Sequence, residues 1–222
     1  MSENQPSTPQ RPWDARLARQ LVAPLRDSWV TPNHLTSLRL LIGLAAAAAF
    51  MPGTYVWSNL AALFLVLSNF ADHTNGEFAR LSGKTSRTGH VYDLASDAVV
   101  TILLFIGIGI GVGAKLGVAL QILPLVLGAA AGCAIALIFF LRMRIEEMVG
   151  KAQTRQASLG GFETEDVLYL LPMVTVCNVV TAFLVVASIC AALFAIWVVI
   201  DYLRVVRRQR SMAANSTAGV AQ

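Results

Sequence analysis

Two uncharged runs restrict what this chain can become. Leu40 to Ala71 is 32 residues without a charge, and Val167 to Ile200 is another 34. A helix rises about 1.5 Å per residue, so about 20 apolar residues cross the roughly 30 Å hydrocarbon core of a bilayer. Runs this long do not suit a water-soluble domain, where charged residues make up about 25%. Here they are 14% of 222 residues, against 56% hydrophobic, and the mean hydropathy is +0.63. The expected fold class is an all-α integral membrane protein.

Met51-Pro52-Gly53 breaks the first run, which predicts two helices, roughly 33–51 and 55–80. The stretches 90–113 and 117–141 predict a third and a fourth. The second long run exceeds one ordinary span and falls a little short of two. Extended into Thr164–Asp166 and Tyr202–Arg204, it holds two helices with a turn near Cys177–Thr181, which makes six spans. The basic residues test that count. With the N-terminus inside, only Lys115 of the 17 Lys and Arg falls on the outer side, so both termini are expected in the cytoplasm.

Residues 13–29 read as an interfacial amphipathic helix. Trp13, Leu17, Leu21, Leu25 and Trp29 form a drifting apolar stripe, Arg16, Arg19 and Arg26 supply charge, and Pro24 would kink it. The alternative is a frayed polar arm. The chain then divides into a polar arm with this helix (1–30), a six-helix transmembrane domain (31–206) and a disordered basic tail (207–222). No cleavable signal peptide is visible in the polar first thirty residues, with Pro6, Pro9 and Pro12. Cys133, Cys177 and Cys190 fall in apolar stretches and read as small buried hydrophobes. The net charge of +4 suits anionic lipid surfaces, and no nucleic-acid partner is expected. Gly107, Gly109, Gly111 and Gly113, and Gly128 with Gly132, form G-x-x-x-G patterns that permit close helix packing, within the chain or in a homodimer.

Across the end of the second predicted helix and the start of the third runs "ADHTNGEFARLSGKTSRTGHVYDLASD", residues 71–97. Asp72 and Asn75 are three apart and share a helix face; Asp93 and Asp97 are four apart and share another. A short loop joins the two helices, so they run antiparallel and the faces can meet. Ionised side chains in a membrane are costly and usually face an interior cavity. Four oxygen-bearing side chains on two facing helices suit a hard divalent cation such as Mg²⁺ or Mn²⁺. Gly76 and Ala79 leave room for a ligand beside them, and Arg80, Lys84 and Arg87 ring the mouth, as phosphate binding requires. The bland alternative is that these acids cap helices or pair with Arg80 and Lys84.

The stretch resembles the motif of the CDP-alcohol phosphotransferases, D-x-x-D-G-x-x-A-R, eight residues, then G-x-x-x-D-x-x-x-D. It reads Asp72, Asn75, Gly76, Ala79, Arg80, eight residues, Gly89, Asp93, Asp97. The segment "TPNHLTSLRL" also resembles the family's usual lead into its first helix, and the resemblance covers roughly residues 30 to 205. It implies two divalent ions, Mg²⁺ or Mn²⁺, held by Asp72, Asn75, Asp93 and Asp97, and a general base at Asp97. It implies a substrate site built with Gly76, Ala79, Arg80, Lys84 and Gly89, a CDP-alcohol donor, an alcohol or lipid acceptor, and a homodimer. The donor would be CDP-diacylglycerol or a CDP-linked small alcohol, in phospholipid synthesis at the cytoplasmic face, with a bacterial inner membrane the expected location.

Asn75 departs from the motif, which has an acid there. An amide oxygen still coordinates hard cations but brings no charge. An active natural variant, an inactive relative and an engineered substitution all fit; the intact remainder of the motif favours the first. Arg142, Arg144 and Arg155 could hold an acceptor's phosphate or lipid headgroups, or be ordinary inner-loop charge. Glu163, Glu165 and Asp166 read as acids at a helix start, or as selectors of a cationic acceptor. His34, His73 and His90 receive no role. A divalent-cation transporter is a competing class, since acids within spans also mark ion paths. Against it, no acid falls in the outer halves of the helices.

Overall fold

The computed structural model describes residues 20–25, 28–84, 86–116, 120–150 and 170–220. All regular structure among them is helical. A 3-10 turn at Ala23–Leu25 precedes α1 (Pro32–Phe50), α2 (Tyr55–Ser82), α3 (Arg87–Leu116), α4 (Ile122–Val149), α5 (Leu171–Val176) and α6 (Val180–Val220).

Local sequence accounts for the helix ends. Pro32 opens α1 after Thr31, whose N–H donates to His34 Nδ1 at 3.2 Å. Gly53, at φ 65°, turns the chain into α2, and Gly83, at φ 66°, ends α2 with its N–H on Ala79 O. Ser86 Oγ accepts from Gly89 N at 3.0 Å, so it caps the start of α3. Asn178, at φ 56°, makes the turn between α5 and α6, inside the Cys177–Thr181 window read from the sequence.

The expected helices at 33–51, 55–80 and 90–113 are found within three residues of their read ends, and the fourth starts later and runs longer, to Val149. Six spans were expected. Four described helices are long and apolar enough to cross a membrane: α1, α3, α4 and the Val180–Gln209 part of α6. α2 has 28 residues but carries Asn69, Asp72, Asn75, Glu77 and Arg80 in its second half. The expected fifth span falls largely on residues outside the described set, as do residues 13–19, 26 and 27 of the interfacial helix. α6 runs from Val180 to Val220. Residues 207–214 hold good helix formers such as Arg, Gln, Met and Ala, and Gln209 Nε2 donates to Met148 O at 3.3 Å, tying this part of α6 to α4.

α1 packs against both α2 and α3, α3 against α4, α4 against α6, and α5 against α2. The core threads all of them: Ala46, Phe50, Leu65, Leu104, Ile108 and Leu184 are buried together. Glycines set the spacing. A Cβ at Gly107 would run into Ala47 O and one at Gly111 into Phe50 O, so this face of α3 rests directly on the α1 backbone. On the opposite face Gly109 meets Pro124 O, and Gly128 of α4 meets Phe105 O. These glycine patterns are therefore used within one chain. The three cysteines, expected to be buried, lie exposed on the helix surfaces. In a membrane helix the lipid-facing side is as apolar as the core, so an apolar neighbourhood does not imply burial.

Gly107→Val should lower the thermal unfolding midpoint in detergent, by an overpacking cost of about 1–3 kcal/mol, because backbone cannot yield as a side chain can. Gly76→Ala, where a Cβ meets nothing within 4 Å, should be no less stable than the parent. Equal midpoints for Gly107→Val and the parent would contradict the close approach of α3 to α1.

Candidate active site

α1 has one buried stripe, where Thr36, Arg39, Gly43, Ala46 and Phe50 recur at helical spacing. Arg39 is thus placed in the core-facing stripe, and its side chain is only 4% exposed. A buried guanidinium requires acids. Arg39 Nη1 pairs with Asp72 Oδ1, and with Asp97 Oδ1 at 2.6 Å. Nη2 lies 3.5 Å from Asp93 Oδ1 and donates to the Asp93 backbone oxygen at 3.3 Å. One cation therefore joins three carboxylates from two other helices.

Thr36, one turn earlier, completes the arrangement. Its Oγ1 donates to Asp93 Oδ1 at 3.0 Å and accepts from Asn75 Nδ2 at 2.9 Å. Asn75 Nδ2 also donates to Asp93 Oδ1 at 3.2 Å. Asn75 Oδ1 is buried without a hydrogen-bond partner among the described residues. The sequence reading paired two helices; the structure brings Asp72, Asn75, Asp93 and Asp97 together with α1 between them. Arg39 and Thr36 were missed. The available signal was Arg39, the one charged residue of a helix whose remaining turns run into an apolar stretch, three residues after Thr36.

Of these groups, Arg39, Asp72 and Asp97 line a cavity of about 530 Å³, together with Arg142 and Glu146; Thr36, Asn75 and Asp93 do not line it. Asp72 and Asp97 are accessible from it, with side chains 42% and 45% exposed, and the Asp93 side chain is 33% exposed. Arg142, a weaker candidate in the sequence, faces the same cavity from α4, with its guanidinium 5.2 Å from the Phe194 ring and 5.7 Å from that of Trp197.

The other sequence candidates are placed as follows. Gly76 has open space beside it, and Ala79 is half-buried. Arg80 is exposed and donates to buried Glu77 at 2.7 Å. Lys84 Nζ donates to Ser28 O at 2.7 Å and Val30 O at 3.1 Å, so it ties the α2–α3 loop to the approach to α1. A Cβ at Gly89 would lie 2.8 Å from Asn33 Oδ1, which makes this glycine a contact point of α3 with α1. Arg87 and His90 are exposed, and His34 serves the start of α1. Arg144 pairs with Glu147 at 2.6 Å. Arg155, Glu163, Glu165 and Asp166 lie outside the described residues.

A family model described as CDP-alcohol phosphatidyltransferase matches residues 29–206. The chain belongs to that family. The match spans the described helical bundle from the approach to α1 into α6 and includes every acid of the site. The chain is therefore a transferase by class and, with its apolar helices, an integral membrane protein. No curated protein matches the chain.

The family generally uses divalent metal ions. Among the described residues no three His, Cys, Asp or Glu side chains are placed to hold one ion in common. The Arg39 guanidinium stands among the carboxylates. The donor chemistry itself fits a hard cation: three carboxylates, and an amide oxygen that is buried and unpartnered among the described residues.

Arg39→Gln should destabilise the protein in EDTA by roughly 1–3 kcal/mol, between the values for exposed and fully buried pairs because the acids are partly solvated. Added Mg²⁺ should recover part of the loss by neutralising the same carboxylates. A thermal melt with and without Mg²⁺ checks this, and an unchanged midpoint in EDTA would show that Arg39 does not hold the acids.

Proposed function

We propose that this transferase moves a phosphatidyl group from CDP-diacylglycerol to the hydroxyl of a small polar alcohol, releasing CMP, in phospholipid synthesis. The observation that carries the reading is the convergence of Asp72, Asn75, Asp93 and Asp97, at the family spacing, with Asp72 and Asp97 lining one cavity. In the reaction the acceptor oxygen attacks the phosphorus that carries the lipid. The bond from that phosphorus to the CMP oxygen breaks, CMP leaves with the electron pair, and the acceptor proton goes to a base.

Asp97 suits the base: its carboxylate lines the cavity, and the 2.6 Å pair with Arg39 fixes its orientation. Asp72, Asn75 and Asp93 would supply further oxygens to hold the divalent ions of a two-metal site, which when bound would neutralise the diphosphate and polarise its oxygens. Gly76 leaves open space for the nucleotide beside them. Arg142 faces the cavity from the other side and offers a cation to a phosphate. A lipid substrate is supported by a second, apolar cavity of about 560 Å³ between α3, α4 and α6, with Phe139 common to both linings.

The same reading places both termini and the active site at the cytoplasmic face of a six-span protein, in a bacterial inner membrane and as a homodimer. Its support is the one-sided distribution of Lys and Arg and the position of the acids near the loop that joins α2 to α3.

The test is CMP release by the purified chain with Mg²⁺ or Mn²⁺, across a panel of CDP-linked donors and hydroxyl acceptors. Release with CDP-diacylglycerol and one small alcohol is expected; none with any pair would overturn the proposal. With the productive pair, Asp97→Asn should slow turnover by about 10²–10⁴-fold while nucleotide binding persists. A near-parental rate in that variant would remove Asp97 from the base role.

A further inference from the structure

The structure shows what the amide at position 75 does that an acid there could not. Asn75 Nδ2 donates to both Thr36 Oγ1 and Asp93 Oδ1. A carboxylate in this place has no hydrogen to give. It would set a second negative charge within hydrogen-bond distance of Asp93, and the pair would need a cation between them. The amide N–H fills that need. Its orientation is set by chemistry, because Asp93 Oδ1 only accepts, so the nitrogen faces it and the oxygen faces away. That oxygen belongs to a residue only 6% exposed and has no hydrogen-bond partner among the described residues. A buried acceptor left without a partner is costly and marks a place for a ligand.

Arg39 acts in the same direction. Its guanidinium is in contact with the carboxylates of Asp72, Asp93 and Asp97. In formal charges, three carboxylates and one guanidinium leave two negative charges. One divalent cation neutralises them. A second would leave two positive charges in a site bordered by buried side chains, which desolvation opposes. The diphosphate of a CDP-alcohol brings two negative charges and removes that obstacle.

We infer that the free protein takes one divalent cation, and that a second enters only together with a nucleotide diphosphate. This rests on the transferase reading above and adds an order of binding to it. Asn75 and Arg39 are the positioning residues that impose the order, each standing in for positive charge beside Asp93. Nucleotide and second ion then bind cooperatively, each raising the affinity of the other by the same factor, typically 5–150-fold.

The experiment is a Mn²⁺ titration of the purified full chain, with free Mn²⁺ read by electron paramagnetic resonance, without and with excess CDP as an unreactive diphosphate. One ion per chain is expected without CDP and two with it. Asn75→Asp should bind the second ion without CDP, and a parental size-exclusion profile would show that the variant is folded. If it does not fold, the parental titration decides alone. Two ions without CDP, or a single ion at saturating CDP, would overturn the inference. CMP release on the same preparation separates the two levels. Release that persists in either of those cases leaves the transferase reading standing while the order falls. Absence of release across the panel, together with no CDP-dependent ion, overturns both.

Discussion

The Arg39 guanidinium among Asp72, Asp93 and Asp97 is the interaction on which the polar end of this bundle depends. Three carboxylates drawn from two helices into an apolar protein repel one another, and each loses part of its hydration. A cation within reach of all three turns that repulsion into a link between helices. It comes from α1, the helix that packs against both α2 and α3. Thr36 extends the same link by joining Asn75 of α2 to Asp93 of α3. The Arg39 backbone is held as well, since its carbonyl accepts from Ser68 of α2 at 3.1 Å.

That link requires α1, α2 and α3 to approach closely, and the small residues lower in the bundle allow it. Gly107 and Gly111 put the α3 backbone against α1, while Gly109 and Gly113 do the same toward α4. Packing of this kind is rigid, because the touching atoms are backbone and have no rotamers to adjust. The acids are thus carried on a fixed frame, with the cavity opening beside them and Arg142 on its far wall. A preorganised frame suits phosphoryl chemistry, where positioning and electrostatics do most of the catalysis.

Asn75 connects the frame to the chemistry. Within the family motif the position is an acid, and in isolation the amide reads as a defect. In the folded chain its N–H groups satisfy Thr36 and Asp93, and its oxygen remains buried and unpartnered among the described residues. The substitution keeps an oxygen donor and replaces one negative charge with a hydrogen-bond donor.

Much of this was legible before any coordinates. Uncharged runs near the length of a bilayer crossing require helices, because backbone groups in lipid must be satisfied within the segment. The i,i+3 and i,i+4 spacings of the acids required shared faces, and the motif named the family. The exposure of the cysteines was misread, because a membrane protein's outer surface is apolar. Arg39 and Thr36 were not read as part of the site, because they lie more than thirty residues before Asp72 and Asn75 and no local pattern joins them. Local chemistry determined the helices and the faces of the acids. Only the packing of α1 against both α2 and α3 decided which cation those acids meet, since a buried charge takes its partner from whatever the fold brings within a few ångströms.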